Sequence, residues 1–389
     1  MVSRAFSVSQ QIELDSINKD AHFYLTLGKK LHSRASSGVL FPNLILYYSL
    51  FTIESHRYLQ KMYPKFALAL SNQFQPIINA SRMRTKFFDD NQNRVDGTFE
   101  LFDWIADFHH KWHIGAHKGW LASIKRTLQD DLGVFFYQGH VISSTHTGIF
   151  NLGYSKEELP TTSERISSGI GVLSFSVGES IGKYIARIID FLEFLPAPEE
   201  LNCIEYNLED DLFGYIDIKS HKFLNSIFNG SGSEAINLSL LLFLTQINIL
   251  KYILSNLVIG RTYTLFKLKY LVLYHLASSL QKILSYFYQE QIFNNQSLEY
   301  LKAIVKDKDL KEIASKSNFR NILVHYEIRN VKEGVLNYDT KLYGLIEYFF
   351  DGRTYDEIDN ITDKQIDRIS LILEDWLDWR INQSQIRKL

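Results

Sequence analysis

The chain has 389 residues, 46% of them hydrophobic and 22% charged, with a formal net charge of −2. This length and apolar content are sufficient for two buried cores, and the near-neutral charge excludes proteins that coat nucleic acid through bulk electrostatics. A single cysteine, Cys203, excludes an intrachain disulfide, and the first residues lack the apolar core of a signal peptide. We therefore expect a cytoplasmic protein in which any contact with nucleic acid comes from a local patch.

Residues 1–195 are predicted to form a mainly helical domain. Helical patterns of apolar and aromatic residues cover residues 45–60 and 99–112. Residues 133–154 instead contain two short runs of β-branched and aromatic residues that are broken by glycines. Runs of this kind predict a short β-hairpin or an inserted loop.

Three histidines near the second of these helical segments are candidate metal ligands. His109, His113 and His117 recur at intervals of four residues, a spacing that can hold Zn²⁺ if the helix continues. Gly115 weakens a helix at this point, and no glutamate follows the later histidines in a metalloprotease pattern. We therefore interpret them as surface or loop histidines, with zinc binding as the alternative, and we expect neither a metal nor another cofactor.

A proline-containing segment is the predicted boundary between two domains. A helical pattern over residues 181–194 precedes Pro196 and Pro198, and proline disfavours a helical conformation in the residue before it. Residues 196–229 are accordingly predicted to be a linker, and residues 230–389 a second domain.

The second domain is predicted to be a helical bundle. Its apolar residues recur at helical spacing, and Thr362 and Gln365 have the spacing of a capping box that opens a last helix. Four earlier helices are predicted over residues 235–258, 264–288, 297–315 and 320–325.

The first of these helices is long and apolar enough for a membrane span by length alone. Lys251 lies within it, and a lysine near the centre of a bilayer costs about 2.5–3.5 kcal/mol on insertion scales. Asparagines and a glutamine are also scattered through the segment. We therefore predict a buried helix of the bundle and no contact with a membrane.

The segment from Phe319 to Tyr326 contains the strongest candidate for chemistry. On a helix, Phe319, Ile322, Leu323 and Tyr326 form one stripe. The opposite side carries Arg320, Asn321, Val324 and His325. Histidine has an ordinary pKa near 6.5 and can transfer protons at neutral pH. Arginine remains charged and presents a planar fork that matches phosphate oxygens. This combination is suited to cleaving RNA without a metal.

The Arg-Asn-x-x-x-His hexapeptide at residues 320–325 resembles the signature of the HEPN superfamily. These all-helical domains include metal-independent ribonucleases of toxin–antitoxin, abortive-infection and CRISPR effector systems. The resemblance implies that Arg320 binds the scissile phosphate, His325 transfers protons and Asn321 supports them. It also implies an RNA substrate, a homodimer in which two such motifs form a composite site, and a regulatory protein partner.

Two details of the sequence qualify this resemblance. Glu327 stands where the toxin branch of the superfamily carries a tyrosine, so membership of that branch is not expected. The helix that carries residues 47–50 loosely resembles the second helix of many HEPN domains, which would make residues 1–195 a degenerate copy.

Beside the zinc site described above, one alternative remains from the sequence. The chain could be a non-catalytic helical module that binds RNA or a protein in a defence or regulatory complex. Arg320 and His325 would then brace the helix or form ion pairs with Glu327 and its neighbours.

Overall fold

The structure, a computed structural model, describes residues 6–32, 34–63, 72–88, 95–109, 130–153, 166–379 and 386–389. These residues form a mainly helical protein with a small four-stranded sheet, which confirms the predicted fold class. The helices are α1 (Val8–Leu31), α2 (Ser37–Met62), α3 (Gln75–Arg84), α4 (Val95–His109), α5 (Thr145–Leu152), α6 (Ile166–Phe191), α7 (Ser220–Ser226), α8 (Glu234–Asn248), α9 (Tyr263–Glu290), α10 (Asn295–Val305), α11 (Lys308–Ser315), α12 (Ser317–His325), α13 (Leu345–Phe349) and α14 (Tyr355–Leu377). The strands are β1 (Leu132–Tyr137), β2 (His140–Ser144), β3 (Phe213–Ile218) and β4 (Arg387–Lys388).

The predicted hairpin is present and belongs to a larger sheet. Strands β1 and β2 pair antiparallel around Gln138 and Gly139, which both have positive φ, as the tight turns that suit hairpins require. The order of the sheet is β2-β1-β3-β4. Strand β3 lies within residues 196–229, so the predicted linker supplies a strand that pairs with β1. The same segment also contains α7, which packs against α8.

Helix α8 is buried in the protein, as its polar residues predicted. Among the described residues, the segment Glu234–Leu257 passes the length and composition test for a membrane span, and 83% of its most apolar window is buried. Its asparagines are used in packing: Asn248 donates to the backbone oxygen of Val141 at 2.9 Å and accepts from Ser370 at 2.8 Å. After Asn248 the helix widens into a π-helical turn, Ile249–Leu254. This burial is typical of the central helix of a bundle.

Two helix starts differ from the predicted ones. The predicted helix over residues 297–315 is two helices, because the Asp307 side chain accepts from the backbone N–H groups of Asp309 and Leu310, both at 3.0 Å, and opens α11. The last helix begins at Tyr355, seven residues before Thr362. Thr354 and Glu357 form its capping box, and Thr362 lies inside the helix with its hydroxyl bound to a backbone oxygen.

Residues from both predicted domains share one hydrophobic core. Helix α1 packs against α9, and α2 packs against α12. Asp20 of α1 is fully buried and accepts from Lys267 at 2.5 Å, from Thr264 at 2.7 Å and from the Tyr326 hydroxyl at 2.6 Å. The predicted domains 1–195 and 230–389 are thus joined by apolar packing and by a buried ion pair.

Candidate active site

Helix α12 presents the motif residues much as the sequence predicted. The apolar stripe is buried, and Tyr326 ends the helix in a left-handed conformation with φ of 57°. Val324, predicted for the polar side, is also buried, because α12 packs against both α2 and α9. The three motif side chains keep contact with the surface: Asn321 is exposed, Arg320 is half-buried, and the His325 side chain is 40% exposed.

His325 is bound by a buried carboxylate. Its Nδ1 lies 2.8 Å from Oε2 of Glu54, whose side chain is only 2% exposed. An ionised carboxylate can only accept, so Nδ1 of the imidazole carries the hydrogen in this pair. The neutral ring then has its lone pair on Nε2, which defines a single proton acceptor on a partly exposed ring.

Two arginines hold Glu54 in its ionised form. Arg82, itself buried, makes an ion pair with Oε1 of Glu54 at 2.5 Å, and Arg57 approaches the same oxygen at 3.2 Å. Burial raises the pKa of Glu54, but the hydrogen bond with His325 and the charges of Arg82, His325 and Arg57 outweigh it and lower this pKa to about 2. The carboxylate is therefore charged at neutral pH.

Acid is expected to destabilise the fold partly through Glu54. Its folded-state pKa of about 2 lies below its ordinary value of 4.5, so the ionised form stabilises the fold above about pH 4.5, and this stabilisation is lost as the pH falls toward 2. The contribution is about 3 kcal/mol, at about 1.4 kcal/mol per pKa unit. Urea unfolding of the wild type and of Glu54→Gln across this window measures it. A difference in unfolding free energy that does not shrink with falling pH would contradict the assignment.

Arg320 and Asn321 form a second polar group on the same helix. Nη1 of Arg320 donates to Oδ1 of Asn321 at 2.9 Å, and the guanidinium lies 4.9 Å from the centre of the Tyr274 ring of α9. Arg320 and His325 are five residues apart, which separates them by about 140° around the helix axis. The fold therefore joins Arg320 with Asn321 and His325 with Glu54, and directs the two groups toward different helices.

The residues after the motif stabilise the end of α12. The Tyr326 hydroxyl donates to Asp20, and burial raises the pKa of Tyr326 well above its ordinary value. Glu327 pairs with Lys61 at 2.8 Å and with Arg329. In the part of the chain that the structure describes, His325 forms its ion pair with Glu54 on another helix, and Glu327 forms ion pairs with Lys61 and Arg329.

Glu54 could not be identified as a site residue from the sequence, because no local motif distinguishes it. It lies 271 positions before His325, in a helix dominated by apolar and aromatic residues. The one available signal was a glutamate at a position where the apolar pattern would place a buried side chain. Such a residue requires a partner, but the sequence does not name it.

The histidine cluster lies largely outside the described residues. Helix α4 ends at His109, whose side chain is not described, and His113 and His117 belong to residues 110–129, which lie outside the described ranges. Within the described ranges there is no group of three His, Cys, Asp or Glu side chains placed to hold a metal ion. Zinc binding by the three histidines stays a prediction.

Comparison of the chain with known families, with curated proteins and with solved structures finds no match. The case for a function therefore depends on the geometry around His325 and on the motif in α12.

Proposed function

We propose that this protein is a metal-independent endoribonuclease of the HEPN type. The observation that carries the proposal is the 2.8 Å contact between Nδ1 of His325 and the buried carboxylate of Glu54. A histidine that is oriented by a carboxylate and partly exposed is suited to general acid–base catalysis.

The proposed reaction is an internal transesterification of RNA. The 2′-oxygen attacks the adjacent phosphorus as its proton passes to Nε2 of a histidine, and the histidine delivers this proton to the 5′-oxygen as the bond from phosphorus to that oxygen breaks. The products are a 2′,3′-cyclic phosphate and a 5′-hydroxyl. Arg320 would bind the phosphate oxygens and stabilise their developing charge, and Asn321 would hold the guanidinium fork through its 2.9 Å hydrogen bond.

A composite site formed by two chains fits the separation of Arg320 and His325. Because these side chains lie on different sides of α12, one phosphate is more easily bound by Arg320 of one chain and His325 of another. We therefore propose a homodimer as the active form. HEPN ribonucleases belong to toxin and abortive-infection systems, so we also propose a cytoplasmic role in prokaryotic defence, restrained by a regulatory partner.

Cleavage of labelled RNA in EDTA tests the proposal. The wild-type protein is expected to cut RNA and to leave DNA of the same sequence intact, because DNA lacks the attacking 2′-hydroxyl. The fragments should carry 2′,3′-cyclic phosphates and 5′-hydroxyls. Fragments with 5′-phosphates, or cleavage that disappears in EDTA, would contradict the mechanism, and RNA binding without cleavage would favour the non-catalytic module.

A further inference from the structure

Helix α2 exposes two cations beside His325. The side chains of Arg57 and Lys61 are each 60% exposed. They follow Glu54 by three and seven positions, and residues at this spacing lie on one face of a helix. Arg57 and Lys61 are thus on the face of α2 that carries the partner of His325.

Each of these cations forms an ion pair with a carboxylate that is bonded to His325 or lies two positions after it in the chain. Arg57 approaches Oε1 of Glu54, whose other oxygen binds His325. Lys61 binds Oε1 of Glu327 at 2.8 Å, and Glu327 follows His325 by two positions. These contacts place a short row of positive charge on α2 next to the segment that carries the imidazole.

The exposure of this row distinguishes it from the other cation of the cluster. Arg82 is buried against Glu54, so its positive charge neutralises that carboxylate inside the protein. The pair of Lys61 with Glu327 lies at the surface, where water and salt screen it, and Arg57 reaches the buried Glu54 with a side chain that is itself 60% exposed. A phosphate group can therefore bind the exposed part of Arg57 and can replace or join Glu327 at Lys61.

We infer that Arg57 and Lys61 bind phosphates of single-stranded RNA next to the scissile one, so that the strand follows α2 away from His325. This inference depends on the proposed function. Four residues of helix separate the two cations by about 6 Å along the axis, which allows one extended strand to contact both. A chain with a net charge of −2 must attract RNA through a local patch, and this row supplies one beside the proposed catalytic histidine.

Binding of an RNA that cannot be cut separates this inference from catalysis. A fluorescent single-stranded RNA with 2′-O-methyl groups lacks the attacking hydroxyl, and its affinity is measured by anisotropy at several salt concentrations. Arg57→Gln and Lys61→Gln should each weaken binding about fivefold. Each should also reduce the slope of log affinity against log salt by about 0.7.

Two matched variants control for the loss of a surface charge. Arg387 is 65% exposed and pairs with Asp217, and Lys341 is 57% exposed and pairs with Asp356. Arg387→Gln and Lys341→Gln should leave affinity and slope unchanged. If Arg57→Gln also disturbs Glu54, Lys61→Gln still tests the inference, because Lys61 pairs with Glu327 and not with Glu54.

Each outcome is informative. Weaker binding by the α2 variants alone supports the inference. If the wild type binds RNA and all four variants bind equally well, the inference is wrong while the proposed function stands. If the wild type neither binds nor cuts RNA, both fail.

Discussion

Replacing either Arg320 or His325 by alanine is expected to lower the rate of RNA cleavage by about 100- to 10,000-fold. In the proposed mechanism, His325→Ala removes the proton acceptor that Glu54 orients, and Arg320→Ala removes the charge that stabilises the transition state. Both side chains reach the surface of α12, so helical content measured by circular dichroism should not change. Single-turnover cleavage of labelled RNA measures the effect, and full activity in either folded variant would refute the proposed site.

A mixture of the two variants tests the composite site. In a dimer of one Arg320→Ala chain and one His325→Ala chain, one of the two composite sites keeps an intact arginine from one chain and an intact histidine from the other. Mixing and refolding the inactive variants should therefore restore up to about a quarter of the activity, since half of the dimers are mixed and each has one working site. If the mixture remains inactive while mixed dimers form, both residues act within one chain. Mixing either variant with itself provides the control.

Removing the buried carboxylate of Asp20 is expected to destabilise the protein by about 3–5 kcal/mol. Asp20→Ala leaves the buried ammonium of Lys267 without its counter-charge and removes acceptors from Thr264 and Tyr326. These contacts join α1 to α9 and to the end of α12, so their loss also loosens the helix that carries the motif. Urea unfolding of the variant and the wild type at neutral pH measures the change.

An exposed acidic residue provides the comparison for Asp20. Asp356 pairs with Arg261 and Lys341 at the surface, where solvent screens the charges. Asp356→Ala should therefore change the free energy of unfolding much less than Asp20→Ala. Equal losses in the two variants would show that the buried pair has no special role in stability.

The local sequence pattern predicted the structure correctly where the residues of a single helix or strand determine it. The apolar stripe of α12 predicted which side would be buried, because helical periodicity depends on the residues of the helix itself. The same kind of pattern predicted the hairpin and the burial of α8. It was less reliable at helix ends, since Asp307 and Thr354 act through single side-chain hydrogen bonds that compete with similar candidates nearby.

The sequence by itself determined the helical class of this protein and the motif Arg320, Asn321 and His325, because composition and periodicity are properties of short stretches of chain. Only the tertiary structure decided that His325 meets Glu54 and that Asp20 meets Lys267. It also placed β3, from the predicted linker, in the sheet. Buried charges must find partners, but pairing across hundreds of residues depends on how helices pack, and no local pattern encodes that choice.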